Sequence, residues 1–240
     1  MAFALSLHTG DPSRLATPLL AVALPSDKPV PRTLAPLDKL LDGALTRAVK
    51  QKDFKGNRDE TLILFAKGKG PQRVLLVGLG ASPEPAAIVR AASLAGRKGN
   101  SMGLERIGFW AEELEGAAIE NAAIGLSLGG WEYTELRTQP PASERPKPLI
   151  AAVVCADSAK GAEAALANGV AVAEGQRLAR TLAMMPGNLC TPTYIADTAK
   201  DIAKRHKLKL TVFGRKEMEK MGMGSFLAVA QGTPQKPKFI

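Results

Sequence analysis

Short apolar runs alternate with segments of helical periodicity along the first two-thirds of the chain. This alternation is typical of proteins in which helices cover a sheet, so the pattern predicts the α/β class. Helices are predicted where apolar residues recur at every third or fourth position: Leu37–Val49, Pro85–Lys98 and Leu114–Leu128. Shorter apolar runs are predicted to be strands: Phe3–Leu7, Leu19–Leu24, Thr61–Ala66, Arg73–Val77, Arg106–Trp110 and Leu149–Cys155.

The last third of the chain continues with longer helical patterns. Thr138–Pro148 contains four prolines among polar residues and is predicted to be an exposed connection before the last of those strands. The Ala-rich segment Ala159–Met184 is predicted to be one long helix, suited to bridging two domains. Thr191 and Pro192 form a helix start, because threonine caps free amides and proline is tolerated in the first turn.

Beyond that helix, which should end near Lys207, three short elements are predicted: a strand over Leu208–Phe213, a helix over Lys216–Met221 and a strand over Phe226–Ala230. We therefore divide the chain into an N-terminal α/β domain (1–156), a connecting helix (157–186) and the start of a second domain (187–240). This last part is too small for a separate core without a metal or disulfides. It either docks onto the first domain or is the beginning of a larger one.

Charge is concentrated at one end of the chain. The 240 residues carry a net charge of +9, and Lys200–Ile240 holds ten basic and three acidic residues, 10 − 3 = +7. This end could contact nucleic-acid phosphates, although the Lys200–Lys209 run also fits an amphipathic helix with a solvated basic face. Aromatic residues that would stack on bases do not interleave with it.

Cysteine content and the absence of long apolar runs predict a cytoplasmic protein. Cys155 and Cys190 are the two cysteines, too few for a disulfide framework, which favours a reducing compartment. The opening residues Met1–His8 lack the charged and apolar parts of a signal peptide. No stretch reaches the about 18–20 uninterrupted apolar residues of a membrane span.

Three glycine motifs suggest chemistry that their context does not support. Gly125–Gly129 matches the Gly-x-Ser-x-Gly nucleophile elbow, but it ends a predicted helix, so we expect small residues packing that helix against the sheet. Val77–Gly80 follows a strand but lacks the third glycine of the dinucleotide fingerprint, which favours a plain strand-to-loop turn. Ala66–Gly70 fits a hairpin connection better than a phosphate-binding loop.

Ionisable residues form no recognisable catalytic or metal-ligand pattern. His8 and His206 are isolated, and Asp53, Asp59 and Glu60 are flanked by basic residues and are expected on the solvated surface. The sequence therefore predicts no catalytic, cofactor-binding or metal-binding residue within this chain.

Two segments near the end resemble consecutive blocks of one enzyme family, the leucyl aminopeptidases or cytosol aminopeptidases. Arg180–Ala196 reads Arg-Thr-Leu-Ala-Met-Met-Pro-Gly-Asn-Leu-Cys-Thr-Pro-Thr-Tyr-Ile-Ala and is similar to the signature that opens the catalytic domain. Met221–Ile240 reads Met-Gly-Met-Gly-Ser-Phe-Leu-Ala-Val-Ala-Gln-Gly-Thr-Pro-Gln-Lys-Pro-Lys-Phe-Ile and resembles the next block. The earlier region, with Val77–Gly80 and Gly130–Tyr133, is similar only in layout to the family's macro-domain-like N-terminal domain.

The resemblance implies a cytoplasmic homo-hexameric enzyme that removes N-terminal residues, often leucine, from peptides. Two divalent ions, manganese or zinc, would activate the attacking water. In the family pattern the metal-binding lysine and acidic residues lie beyond Ile240, so the resemblance implies that this chain binds no metal and is inactive alone. On this interpretation, the chain ends just inside its catalytic domain.

Two other function classes remain open. The N-terminal domain could bind a nucleotide-like ligand such as ADP-ribose in the loop after Val77, as macro domains do. The basic end could contact DNA in a regulatory role, as in some members of the family. The predicted partners are therefore peptide substrates and further copies of the chain in a hexamer, with a nucleotide-like ligand or DNA as the alternatives.

Overall fold

A six-stranded mixed sheet forms the centre of the N-terminal part in the computed structural model, which describes residues 3–81, 84–138, 140–141, 144–156 and 158–240. The strand order is β1-β6-β5-β2-β4-β3. β3 is antiparallel to β4, and the other neighbours are parallel. The predicted α/β class and all six predicted strands are confirmed: β1 Ala4–Thr9, β2 Leu20–Pro25, β3 Thr61–Phe65, β4 Arg73–Gly80, β5 Arg106–Ala111 and β6 Ala151–Ala156.

Eight α-helices accompany the sheet in the described part of the chain, together with short 3-10 helices at Pro12–Arg14 and Arg32–Leu34. Apart from the one predicted over Leu37–Val49, the predicted long helices are present, with ends shifted by a few residues. The helices are α1 Ala35–Leu40, α2 Ala44–Lys50, α3 Pro85–Ser101, α4 Ala117–Gly129, α5 Ala162–Met184, α6 Pro192–His206, α7 Arg215–Lys220 and α8 Gly224–Val229.

The single helix predicted over Leu37–Val49 is wrong, because the chain turns between α1 and α2. Asp42 (φ 56°) and Gly43 (φ 75°) adopt left-handed backbone conformations, which interrupt a right-handed helix. Asp38 then stabilises the start of α2, since its Oδ1 accepts hydrogen bonds from the backbone N–H groups of Leu45 (3.0 Å) and Thr46 (3.2 Å). The apolar stripe survives this break, because both short helices bury their apolar side on the same face of the sheet.

Two apolar layers, one on each face of the sheet, form the core of this part. Along β2, Leu20, Val22 and Leu24 point to the face covered by α1 and α2, while Ala21 and Ala23 point to the face covered by α3 and α4. A strand buried on both faces has a continuous apolar sequence, as β2 and β4 do.

The chain divides into two compact units, Met1–Arg177 and Leu178–Ile240. The predicted boundaries at 156/157 and 186/187 stay predictions, and Asp157 lies outside the described residues. Met1 and Ala2 of the opening segment and Gln139, Ala142 and Ser143 of the predicted connection also lie outside the described residues. The described residues of that connection contain no helix or strand.

In the second unit, both predicted helices are confirmed and both predicted strands are wrong. Leu208–Phe213 forms no strand, and its one ladder contact among the described residues is an antiparallel bridge between Phe213 and Phe239. The strand predicted over Phe226–Ala230 is replaced by α8. The rings of Phe213 and Phe226 lie 6.1 Å and 5.8 Å from the Phe239 ring, so aromatic packing holds these segments together.

Across the described residues, no helix combines the length and the apolar character needed to cross a membrane.

Candidate functional site

The Gly-x-Ser-x-Gly motif packs two helices together. Ser127 lies inside α4 with only 2% of its surface exposed, and no strand leads into it. A Cβ atom at Gly125 would lie 2.3 Å from the Val89 carbonyl oxygen, and one at Gly129 would lie 2.1 Å from the Ser93 carbonyl oxygen. The predicted structural role is confirmed, but the surface that these glycines meet is the backbone of α3 rather than the sheet.

The glycines after Val77 accommodate the chain itself. A Cβ atom at Gly78 would lie 1.8 Å from the carbonyl oxygen of Asn57, so the segment around Gly56 and Asn57 occupies the space beside the strand. The N–H groups of Gly78 and Gly80 donate to the carbonyl oxygens of Glu60 (2.8 Å) and Gly56 (2.9 Å). These two donors are therefore not free to hold a phosphate, and a nucleotide-like ligand in the loop after Val77 stays a prediction, since Ser82 and Pro83 lie outside the described residues.

The turn predicted at Val77–Gly80 therefore starts later than expected, because β4 continues through Gly80. The hairpin predicted at Ala66–Gly70 is confirmed. β3 and β4 pair in antiparallel fashion, and the Ala66 N–H donates to the Gln72 carbonyl oxygen at 3.1 Å.

The two histidines lie in different units of the chain. His8 is on the edge strand β1, where its Nε2 lies 3.2 Å from the Asp11 carbonyl oxygen, and His206 is the exposed last residue of α6. Over the ranges that the structure describes, no three His, Cys, Asp or Glu side chains are close enough to hold a metal ion.

The carboxylates expected on the solvated surface differ in their roles. Asp53 is exposed, whereas Asp59 pairs with Arg90 of α3 at 2.9 Å. Glu60 has a structural role that the sequence did not reveal, because its carboxylate accepts the backbone N–H groups of Lys55 (3.1 Å) and Asn57 (2.9 Å). It thereby fixes the loop that passes beside β4.

A second carboxylate interacts with backbone donors at the start of α7. The backbone N–H groups of Glu217 itself and of Gly214 hold the pKa of the Glu217 carboxyl below its ordinary value. The Gly214 N–H donates to Oε2 at 3.0 Å, as expected for an acidic residue in the first turn of a helix.

The basic end contains the amphipathic helix that its pattern predicts. In α6, Ala196 and Ala203 are buried, while Lys200, Lys204 and Arg205 are exposed. Lys200 Nζ lies 2.8 Å from the Asp197 carboxylate. DNA contact through this segment stays a prediction.

The segment that resembles the aminopeptidase signature forms a tight turn and a capped helix start. The N–H groups of Leu189 and Cys190 both donate to the Pro186 carbonyl oxygen at 2.9 Å. The Thr191 hydroxyl then accepts a hydrogen bond from the Tyr194 N–H at 3.2 Å, which confirms the predicted cap.

Two concave surfaces in the first unit are candidate binding sites. One cavity of about 380 Å³ lies at the carboxyl end of β2, between Leu24, Phe54 and three lysines. Sequence reasoning missed it, although a Pro-Ser-Asp-Lys-Pro loop directly after a buried strand is the kind of signal that marks such a place. A groove of about 970 Å³ near the start of β6 is lined by basic and apolar residues, among them Arg97, Arg145 and Trp131.

Comparison with known families matches both parts of the chain. The model described as "Cytosol aminopeptidase family, N-terminal domain" matches residues 21–140. The model described as "Cytosol aminopeptidase family, catalytic domain" matches residues 177–240. Both sequence blocks that carry the resemblance, Arg180–Ala196 and Met221–Ile240, lie within the second match.

Curated relatives agree with these matches. Probable cytosol aminopeptidases from Ralstonia pickettii (strain 12J), Ralstonia nicotianae and Paraburkholderia phymatum are 40%, 38% and 37% identical to this chain. The alignments cover 87%, 87% and 85% of this chain, but only 45%, 45% and 42% of the relatives. The chain thus spans less than half the length of these relatives.

Solved structures share the fold. A mutant of tomato leucine aminopeptidase superposes with a TM-score of 0.81 at 24% identity, covering 99% of this chain and 50% of that one. The bottromycin maturation enzyme BotP in complex with Mn superposes with a TM-score of 0.71 at 22% identity, covering 93% of this chain and 44% of that one.

Proposed function

Because the chain belongs to the cytosol aminopeptidase family, we propose that it supplies the N-terminal domain and the beginning of the catalytic domain of a leucyl-aminopeptidase-type metallo-exopeptidase. The observation that carries this proposal is the pair of consecutive family matches, over residues 21–140 and 177–240. We further propose the division into an N-terminal domain (1–156), a connecting helix (157–186) and the start of the catalytic domain (187–240).

The proposed reaction is the release of the N-terminal amino acid from a peptide by a metal-activated water. Two divalent ions, manganese or zinc, would generate the nucleophile and polarise the scissile carbonyl. The described residues do not fit a metal site of this kind, since no three potential His, Cys, Asp or Glu ligands converge in them. We therefore assign no catalytic step to a residue of this chain, and we propose that the 240-residue chain alone is inactive.

The substrates, the assembly and the cellular location of the enzyme are part of the same proposal. We infer peptide substrates, a homo-hexameric assembly and a cytoplasmic location from membership of the family. Manganese is the first ion to test, because one solved structure of the BotP neighbour is of its complex with Mn.

A chimeric enzyme tests the proposal directly. Residues 1–240 would replace the corresponding 45% of the Ralstonia pickettii relative, and the chimera would be assayed with leucine p-nitroanilide and Mn²⁺. We expect turnover that a chelator abolishes. Residues 1–240 alone, and the remaining part of the relative alone, are the matched controls and should both be inactive.

Two results would count against the proposal, each in a different way. A chimera that folds and assembles like the relative but releases no leucine would refute the claim that this chain supplies a functional N-terminal portion. Chelator-sensitive turnover by residues 1–240 alone would show that the chain has its own catalytic site.

A further inference from the structure

The order of the strands draws attention to the carboxyl ends of the central strands β2 and β5. After β2 the chain crosses one face through α1 and α2 and enters the sheet on the β4 side. After β5 it crosses the opposite face through α4 and enters on the β6 side. β2 and β5 are neighbours, so the crossovers diverge between them, and the carboxyl end of β2 is one side of this point. Open α/β sheets bind ligands outside the carboxyl ends of their strands.

A cavity of about 380 Å³ lies at the carboxyl end of β2, and its lining residues come from β2, from α2 and from the loops that follow these two elements. The apolar residues that line it and are partly or fully exposed are Pro25, Pro29 and Val49, while Leu24 and Phe54 beneath them are 4% and 1% exposed. Its volume lies within the range of small-molecule sites, which are mostly apolar with a few polar groups that fix the ligand. The cavity is thus large enough for a ring system with one attached group.

The rim of the cavity is positively charged. Lys28, Lys52 and Lys55 line it together with a single acidic residue, Asp27, which gives 3 − 1 = +2. Within residues 3–81, which contain the whole cavity, no ion pair joins any of the three lysines to a carboxylate. A phosphate monoester carries about −1.5 to −2 at neutral pH, so its charge matches this rim.

The walls are held in place by hydrogen bonds and close packing. The Ser26 hydroxyl donates to the Gly56 carbonyl oxygen at 2.8 Å, which joins the end of β2 to the loop on the other side. Gly56 (φ 73°) approaches so closely that a Cβ atom there would lie 2.5 Å from the Pro25 carbonyl oxygen. Asp27 (φ 55°) and Lys52 (φ 62°) are held in left-handed conformations at the rim. The cavity is therefore formed before any ligand arrives.

We propose that this cavity binds a small organic phosphate, with an apolar ring against Pro25, Pro29 and Val49 and the phosphate among Lys28, Lys52 and Lys55. The proposal concerns binding alone and assigns no step of the peptidase reaction to these residues. The cavity differs from the glycines after Val77, because the N–H groups of Gly78 and Gly80 donate to carbonyl oxygens of the protein.

Titration calorimetry of the 240-residue chain with 1-naphthyl phosphate tests the proposal. We expect saturable one-to-one binding of 1-naphthyl phosphate. The affinities for 1-naphthol, which lacks the phosphate, and for inorganic phosphate, which lacks the ring, should be lower by about tenfold or more. The triple variant Lys28→Gln, Lys52→Gln, Lys55→Gln should lose about tenfold in affinity or more, because each lysine removed is a charged partner of the phosphate.

A second triple variant provides the matched control. Lys69→Gln, Lys98→Gln and Lys160→Gln remove the same charge at exposed positions outside the cavity, and this variant should bind like the original chain. Equal losses in both triple variants would show general attraction to a basic chain and overturn the proposal. Binding that does not saturate at millimolar ligand would also overturn the proposal.

NMR spectroscopy gives a second test. The amide resonances of Phe54 and Gly56 should shift when ligand is added to the unaltered chain, and unchanged resonances would refute the site.

Discussion

Replacing Gly125 by alanine tests whether α3 and α4 owe their close approach to glycine. The added Cβ atom would lie 2.3 Å from the Val89 carbonyl oxygen and 2.7 Å from the Ala92 Cβ atom. The first contact is with backbone, so the helix must move as a whole. The shift would also strain the hydrogen bond that the Ser93 hydroxyl donates to the Gly125 carbonyl oxygen at 3.1 Å.

Two opposing effects set the expected change in the free energy of unfolding. Alanine in a helix interior is more favourable than glycine by about 1 kcal/mol. Overpacking a close interface costs about 1–3 kcal/mol or more, and a backbone contact this short belongs at the upper end of that range. We therefore expect Gly125→Ala to lower the free energy of unfolding by about 2 kcal/mol, which lowers the Tm of a unit this size by about 4–8 °C.

The same substitution at Gly175 of α5 is the matched control. No atom would lie within 4 Å of a Cβ atom there, so the intrinsic preference for alanine acts alone. Gly175→Ala should raise stability by about 0.5–1 kcal/mol and the Tm by about 2 °C. Thermal unfolding followed by circular dichroism measures both. If Gly125→Ala is as stable as Gly175→Ala, the close packing argued for α3 and α4 is wrong.

Three further predictions concern the second unit and the basic end. Thr191→Ala should destabilise α6 by about 1 kcal/mol, because the Tyr194 N–H loses its acceptor, while Thr191→Asn should not; amide exchange of the first turn measures both. The lowered pKa of Glu217 should stabilise α7 above pH 4.5 and lose this effect as the pH falls through the folded pKa, so an NMR titration midpoint at or above 4.5 would contradict it. The DNA alternative predicts an affinity for duplex DNA that falls steeply as salt rises, and an affinity independent of salt would remove it.

In the first unit, the strands could be predicted from the sequence, because each apolar run has a neighbouring strand in the sheet. All six predicted strands are found. The runs at β2 and β4 are buried on both faces by helices with their own apolar stripes. Gly-x-Ser-x-Gly was recognised as structural because no strand precedes it. Its contact with α3 was not predictable, since the spacing within one helix does not show which backbone lies opposite.

The candidate cavity was the part that sequence reasoning missed. Its lysines lie in two loops, at Lys28 and at Lys52 and Lys55, which the fold brings together after β2 and after α2. Isolated lysines between prolines or after a helix have no period or spacing that distinguishes them from solvated surface. The two loops meet where the Ser26 hydroxyl donates to the Gly56 carbonyl oxygen, and such a contact between distant residues is not visible in a local sequence pattern.

The two wrong strand predictions show that an alternating run predicts a strand only if a partner strand pairs with it. Backbone N–H and C=O groups along an isolated strand would have no ladder partners. Leu208–Phe213 has the apolar pattern of a strand, yet among the described residues its only ladder contact is the bridge of Phe213 to Phe239. At Gly224–Val229 the groups pair within α8 instead. In the first unit every predicted strand has a neighbour among the other five, which is why the same kind of pattern was sufficient there and not in the second unit.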